Sequence, residues 1–296
     1  MAETRVSLPT IQSIEWILRN PPANVPSAWE REKGRGIVQY SFGEYRLSIY
    51  TNCSKKKSKI EQSSSSNNKD EIIISEDCSF ISTRVWDCSV FTVKWMEHIM
   101  TQKCCTLTEA LKLQNRPQHP PQVLELGAGT GLLSIFLAKH GAAVLSTEYG
   151  SALKYLQENC DSNHVTMTAR CQEYDDSVMT MLMPGIVTCR ELDWYSTRET
   201  LQSLLPNTDI RANFDLIVVT DCSLTAKESR GVLDMIERYS TPGYTRVVAG
   251  VCNQREGTPY FTKGARKRFD DVRCIPTSEH HPEYQSIRHS IFYISV

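Results

Sequence analysis

Apolar residues from about residue 120 onward alternate between short continuous runs and stretches of helical spacing. The strand-like runs are QVLEL, AAVLSTE, GIVTCREL, FDLIVVTD, TRVVAGVC, DVRCIP and IRHSIFYISV. Between them, apolar positions three and four residues apart predict helices at about 131–140, 151–160, 225–239 and 259–269. Strands that alternate with helices are typical of a mainly parallel sheet covered on both faces. The pattern therefore predicts an α/β fold.

A different pattern precedes this alternation. Residues 36–51, GIVQYSFGEYRLSIYT, alternate apolar and polar positions and predict a two-stranded ribbon. The charged, serine-rich residues at about 52–71 predict a disordered insertion. After them, EIIIS is strand-like, and DCSVFTVKWMEHIM predicts a helix at about 88–100. The prolines of LQNRPQHPP end this part. We expect an N-terminal extension, residues 1–120, packed on a core domain of residues 121–296.

A glycine-rich turn joins the first strand of the core domain to its first helix. Gly127, Gly129 and Gly131 occupy this turn, with Ala128 between the first two. In a parallel sheet, ligands bind beyond the carboxyl ends of the strands, and a residue without a side chain lets a ligand approach the backbone. The four residues are therefore predicted to contact a cofactor.

The spacing of the glycines bears on which cofactor this is. The dinucleotide fingerprint is GxGxxG, but here the third glycine comes one residue early and Leu132 occupies its place. Glu125 lies just before the turn, where a carboxylate suits a cation better than a pyrophosphate. S-adenosylmethionine carries a sulfonium and an ammonium and no phosphate, so this arrangement favours it over a dinucleotide.

Further candidates follow the next two strands. Glu148 lies 21 positions after Gly127, close to the roughly 20-residue offset of an acid that binds ribose hydroxyls. Asp193 and Trp194, in ELDWY, would reach the same crevice, where they could contact an adenine. Core packing is an open alternative for Trp194 and for Trp86, which precedes the N-terminal helix.

Composition and charge limit the classes of partner that the protein is expected to bind. The chain has 33 basic and 34 acidic residues, a formal charge of -1 and a pI near 6.7, so no nucleic-acid partner is expected. The 11 cysteines include no CxxC pair, and the adjacent His280 and His281 are expected in a surface loop, so no metal is expected. No apolar stretch approaches the roughly 20 residues of a membrane span. We expect a protein of the cytoplasm, with the nucleus as a second compartment.

With these motifs, the sequence resembles the class I methyltransferases and, within them, the family-16 protein lysine methyltransferases. ELGAGTG is similar to their motif I, STEY to the ribose-binding segment, and VWDCSVFTVKWM and ELDW to segments whose tryptophans, here Trp86 and Trp194, flank the cofactor. The resemblance implies a Rossmann-like, mostly parallel sheet of seven strands with helices on both faces, preceded by a β-hairpin and a helix. It also implies S-adenosyl-L-methionine as the cofactor and a lysine of a non-histone protein, such as a translation factor or chaperone, as the acceptor.

The acceptor side departs from the family pattern. Family members usually carry an acid, two residues and a tyrosine after the fourth core strand, whereas this chain has DCSL, with Asp221 in place and Leu224 at the tyrosine position. The resemblance implies that Asp221 is the catalytic residue and orients the incoming amine. Capping of the next helix is its alternative role, which Ser223 or Thr225 could also fill. Tyr260 and Phe261 are candidates for the missing aromatic wall.

Three other functions remain open. The chain could methylate RNA or a small molecule, although its near-neutral charge weighs against RNA. It could be a non-catalytic scaffold that binds S-adenosylmethionine, which Leu224 would favour. A dinucleotide oxidoreductase is disfavoured by the glycine spacing and by Glu125.

Overall fold

The described part of the protein comprises most of the predicted core and part of the N-terminal extension. The computed structural model describes residues 37–42, 45–51, 71–76, 81–103, 105–113, 120–166, 185–195 and 214–296. Residues 52–70 of the predicted insertion lie outside this part. Glu71, the last residue of that prediction, instead begins a strand.

The central sheet has seven strands, in the order β6-β5-β4-β7-β8-β10-β9. Their bounds are β4 Gln122–Leu126, β5 Ala143–Glu148, β6 Ile186–Glu191, β7 Leu216–Thr220, β8 Arg246–Cys252, β9 Asp271–Cys274 and β10 His289–Ser295. All neighbouring pairs are parallel except those of β10, which is antiparallel to β8 and β9. The predicted α/β class and the mostly parallel seven-stranded sheet are confirmed.

Helices cover both faces of this sheet. Six are described: α1 Asp87–Lys103, α2 Leu107–Ala110, α3 Leu132–Lys139, α4 Ala152–Ser162, α5 Ala226–Tyr239 and α6 Thr258–Arg268. The alternating side chains of β4 explain the two layers, because Val123 packs with α1, α3 and α4, whereas Leu124 and Leu126 pack with α5 and α6. Strands buried on both faces need apolar residues at nearly every position, which is why they appear in the sequence as continuous runs.

A smaller sheet lies N-terminal to the central one. Strands β1 (Ile37–Phe42) and β2 (Tyr45–Thr51) form the predicted antiparallel hairpin, and β3 (Glu71–Glu76) pairs with β2 in parallel. Leu47 and Ile74 belong to the same apolar core as α3 and α4. The boundary between extension and core at residue 120 stays a prediction. No helix of the described segments combines the length and apolarity that a membrane crossing needs.

Candidate functional site

The glycine turn lies at the carboxyl end of β4, where it enters α3. Gly127, Gly129 and Gly131 have φ of 68°, 55° and 84°, a region that favours glycine. A Cβ on Gly127 would lie 2.6 Å from Cys222 Sγ. The Ala128 N–H donates to the carbonyl of the β5 end at 2.9 Å. The turn, with residues 127–129 half-buried, lies at the position where the sequence predicts a cofactor.

Glu148, at the end of β5, holds this turn. Its carboxylate accepts the Gly129 N–H at 2.6 Å and the Tyr149 N–H at 2.9 Å. Burial raises the pKa of Glu148 above its ordinary value, while the hydrogen bonds from the two backbone N–H groups oppose that rise. The structure therefore brings the predicted ribose-binding acid directly to the glycine turn, because parallel neighbouring strands end at the same edge.

Glu125 lies beneath the turn and not at its surface. Its side chain is 1% exposed and accepts a hydrogen bond from the Ser134 hydroxyl, which also bonds Ser146 at 2.7 Å. Burial raises the pKa of Glu125 to about 8, so the folded protein holds a proton there at neutral pH. Glu125 is thus buried at the position where the sequence suggests a carboxylate beside a cation. Contact of Glu125 with the cofactor stays a prediction.

The segment after β6 brings Trp194 to the other side of the turn. Its Cζ2 would lie 3.0 Å from a Cβ placed on Gly127, so the indole ring lies against the backbone of the turn. Asp193 accepts the Tyr195 N–H at 2.9 Å, which closes a local turn, and its side chain stays half-buried. Both residues lie at the predicted crevice. Their contacts with adenine stay predictions.

The segment before α1 covers the turn from the N-terminal side. A Cβ on Gly129 would lie 3.2 Å from the Ser82 carbonyl oxygen, so residues 81–86 pack directly over the turn. Trp86 ends this segment, and the Arg255 guanidinium lies 4.9 Å from its ring centroid. Such a cation–π contact fixes the indole beside the carboxyl edge of the sheet.

Asp221, directly after β7, forms an ion pair that the sequence did not reveal. Its carboxylate accepts hydrogen bonds from Arg255 Nε at 3.1 Å and Nη2 at 2.7 Å, and its side chain is 6% exposed. Its φ is 52°, and its N–H donates to the Gly250 carbonyl at 2.9 Å. These hydrogen bonds raise the pKa of Arg255. The Asp221 carboxylate is therefore held in an ion pair with Arg255.

The alternative role of Asp221 as a helix cap is excluded. Thr225 is the N-cap of α5, where its hydroxyl accepts the Lys227 N–H at 3.2 Å and Glu228 completes a capping box. The side chain of Leu224 is half-buried, and its carbonyl accepts the Gly257 N–H at 3.1 Å. Because Thr225 caps α5, the ion pair of Asp221 with Arg255 is not part of the helix cap.

Two other expectations need correction. Phe261 is 1% exposed and packs in the core against Phe292, so it cannot line an entrance, whereas Tyr260 is 55% exposed. His280 does not lie in a surface loop: it is 2% exposed and its ring packs edge-on against Phe91 at 4.9 Å. Burial lowers the pKa of His280. Within the described segments, no group of three or more potential ligands could hold a metal ion.

Comparison with known proteins identifies the family. A family model described as lysine methyltransferase matches residues 66–267, which include the glycine turn, Glu148, Asp221 and Arg255. The chain belongs to this lysine methyltransferase family. A comparison with curated proteins found no match. Family membership makes the chain an S-adenosylmethionine-dependent methyltransferase.

Solved structures with a similar fold include other methyltransferases. A ribosomal protein L11 methylase from Lactobacillus delbrueckii subsp. bulgaricus is 17% identical, with 87% of this chain and 96% of that chain covered and a TM-score of 0.45. A 16S rRNA methyltransferase of T. thermophilus, in complex with AdoMet and guanosine, is 16% identical, with 73% and 44% covered and a TM-score of 0.43. At these scores neither likeness bears on the acceptor of this methyltransferase.

The described residues fit this cofactor. Gly127, Ala128 and Gly129 are half-buried at the carboxyl end of the sheet, and Glu148 supplies a carboxylate at the adjoining strand end. Trp194 lies against Gly127, and Trp86 ends the segment whose Ser82 carbonyl lies over Gly129. Two indole rings and an acid at the second strand end are groups that suit the adenine and ribose of this cofactor.

Proposed function

We propose that this methyltransferase transfers its methyl group to a lysine side chain of a protein. The observation that carries the proposal is the match of a lysine methyltransferase family model to residues 66–267. This range contains every predicted site residue, from Trp86 to Asp221. A non-histone acceptor, such as a translation factor or chaperone, follows from the sequence resemblance and belongs to the same proposal.

Five residues would hold the cofactor in this proposal. Gly127 and Gly129 give the turn its left-handed conformation, and Glu148 would accept hydrogen bonds from the ribose hydroxyls. Trp194, which lies against Gly127, and Trp86, in the segment that packs over Gly129, would supply aromatic rings to the cofactor. When bound, S-adenosylmethionine supplies a methyl group on a sulfonium, which a neutral amine can displace in line.

The acceptor lysine must reach the site without its proton. Holding an amine of pKa 10.4 neutral at pH 7 costs about 4.6 kcal/mol. An unpaired carboxylate at the entrance would raise this cost, because it stabilises the ammonium. The bidentate Arg255 guanidinium offsets the charge of Asp221 and lowers that penalty. The pair can therefore orient the acceptor while leaving its amine neutral.

Rigidity of the pair supports this role. Asp221 is held by two hydrogen bonds from Arg255, and Arg255 in turn lies over the face of Trp86. Correct alignment of reacting atoms is worth several kcal/mol, and a fixed carboxylate needs no reorganisation when the substrate arrives. Leu224 adds an apolar side chain at the family's usual tyrosine position, which also disfavours a charged amine.

The acceptor class is tested by labelled methyl transfer. Extract from cells that lack the protein is incubated with tritiated S-adenosylmethionine and the purified chain, and the product is divided for protease or ribonuclease digestion. We expect protease-sensitive, ribonuclease-resistant counts that fall at least tenfold with a Glu148→Ala variant, the matched control for cofactor binding. Label that only ribonuclease releases would identify an RNA acceptor. Label that passes a small-molecule filter before digestion would identify a small-molecule acceptor. No transfer to any fraction, despite cofactor binding, would identify a scaffold.

A further inference from the structure

Two asparagines, one in α4 and one that caps its C-terminus, bind the free edge of β3. Asn163, the residue directly after α4, accepts the Ile73 N–H at 2.8 Å and donates to the Ile73 carbonyl at 2.5 Å. One turn earlier, Asn159 accepts the Ser75 N–H at 2.8 Å and donates to the Ser75 carbonyl at 3.1 Å. Each side-chain amide thus takes the place of a backbone amide of a neighbouring strand.

The spacing of the two elements explains this match. Residues two apart in a strand direct their N–H and C=O groups to the same edge and lie about 6.6 Å apart. Residues four apart on a helix face lie about 6 Å apart along the axis. Asn159 and Asn163 therefore meet Ser75 and Ile73 in register. The asparagines satisfy an edge that would otherwise leave buried backbone groups without partners.

Only one of the two asparagines also reaches the cofactor turn. Asn159 Nδ2 donates to the Thr130 carbonyl at 2.8 Å, and Thr130 lies between the second and third glycines of that turn. Asn159 is 1% exposed and Thr130 is 3% exposed, so water cannot readily replace this bond. Asn163 makes its additional bond to the Asn159 carbonyl, at 2.8 Å, and contacts no residue of the turn through its described hydrogen bonds.

We propose that Asn159 is a positioning residue for cofactor binding, which couples the β3 edge to the glycine turn through Thr130. By fixing the Thr130 carbonyl, Asn159 holds the backbone of the turn in its left-handed conformation before the cofactor arrives. The N-terminal sheet thereby contributes to cofactor affinity although β3 lies outside the turn. The inference rests on the cofactor and is independent of the acceptor.

The matched pair Asn159→Ala and Asn163→Ala tests this role. Both variants remove two bonds to β3, so comparable losses of melting temperature are expected. Only Asn159→Ala also frees the turn, and its dissociation constant for S-adenosylmethionine, measured by calorimetry, is expected to rise about tenfold, or about 1.4 kcal/mol. Asn163→Ala is expected to stay within about threefold of wild type, roughly 0.7 kcal/mol. Equal weakening in both variants, or wild-type affinity in Asn159→Ala, would overturn the proposal.

A measurement on the unaltered chain covers the case in which a variant does not fold. Amide exchange is followed by NMR with and without S-adenosylmethionine. The Ser75 amide, which Asn159 binds, is expected to exchange more slowly when the cofactor is bound, whereas the Ile73 amide, which Asn163 binds, serves as the internal control and changes less. Equal changes at both amides, or no change at Ser75, would contradict the coupling.

Discussion

Replacing Glu125 with glutamine is expected to flatten the pH dependence of stability near neutral pH. The carboxyl is 1% exposed, and burial raises its pKa from 4.5 to about 8. Between these two values the folded protein keeps a proton that the unfolded chain has lost. Stability is therefore highest at the acid side of this window and falls as the pH rises through it.

The change in the free energy of unfolding follows from the difference between the two pKa values of Glu125. Each pH unit within it lowers the free energy of unfolding by about 1.4 kcal/mol. Between pH 6 and pH 7.5, the wild-type chain is expected to lose about 2 kcal/mol on account of Glu125. Glutamine has nearly the same shape, stays uncharged and can still bond the Ser134 hydroxyl, so the variant lacks this loss.

Urea unfolding, followed by circular dichroism at both pH values, measures this difference. Burial lowers the pKa of His289 to about 4, so this histidine destabilises the fold as the pH falls below 6.5, which is the opposite trend. Its contribution is common to both proteins and cancels in the comparison. An equal change of unfolding free energy in wild type and Glu125→Gln would refute a neutral, buried carboxyl.

Three further predictions concern the site. Gly127→Ala is expected to weaken S-adenosylmethionine binding about tenfold in calorimetry, because its Cβ would lie 2.6 Å from the Cys222 sulfur. The control Gly243→Ala has a similar φ but nothing within 4 Å of its Cβ, so it is expected to lower only the free energy of unfolding, by about 1 kcal/mol. Glu148→Gln keeps the side-chain size but loses the charge, so about tenfold weaker binding is expected, and unchanged affinity would contradict its role. Arg255→Met is expected to lower the free energy of unfolding in urea by about 3 kcal/mol, because it leaves the buried Asp221 carboxylate without its partner. Adding Asp221→Asn is expected to restore part of that loss, and additive effects of the two substitutions would argue against the ion pair.

The fold was predictable because its signals are local. Strands buried on both faces leave continuous apolar runs, and the covering helices leave apolar positions three and four residues apart. Gly127 and Glu148 could be assigned to one edge because parallel neighbouring strands end together. The structure confirms that proximity, with the Glu148 carboxylate bonded to the backbone of the turn.

The residues that escaped prediction depend on contacts between distant parts of the chain. Arg255 lies 34 positions after Asp221, and no local pattern marks an arginine in a polar loop as a buried partner. Asn159 and Asn163 resemble ordinary surface positions of an amphipathic helix, although their four-residue spacing was a signal for a shared face. His280 belongs to a polar stretch, yet packing against Phe91 buries it.

The most direct test of lysine methylation identifies the labelled residue itself. Protein from the methyl-transfer reaction is hydrolysed completely in acid, and the tritiated amino acid is separated against standards. The proposed function predicts that the label elutes with mono-, di- or trimethyl-lysine and falls at least tenfold with the Glu148→Ala variant. Label that elutes with methylarginine or methylhistidine would contradict it. So would label released before hydrolysis as methanol, the volatile product of a methyl ester.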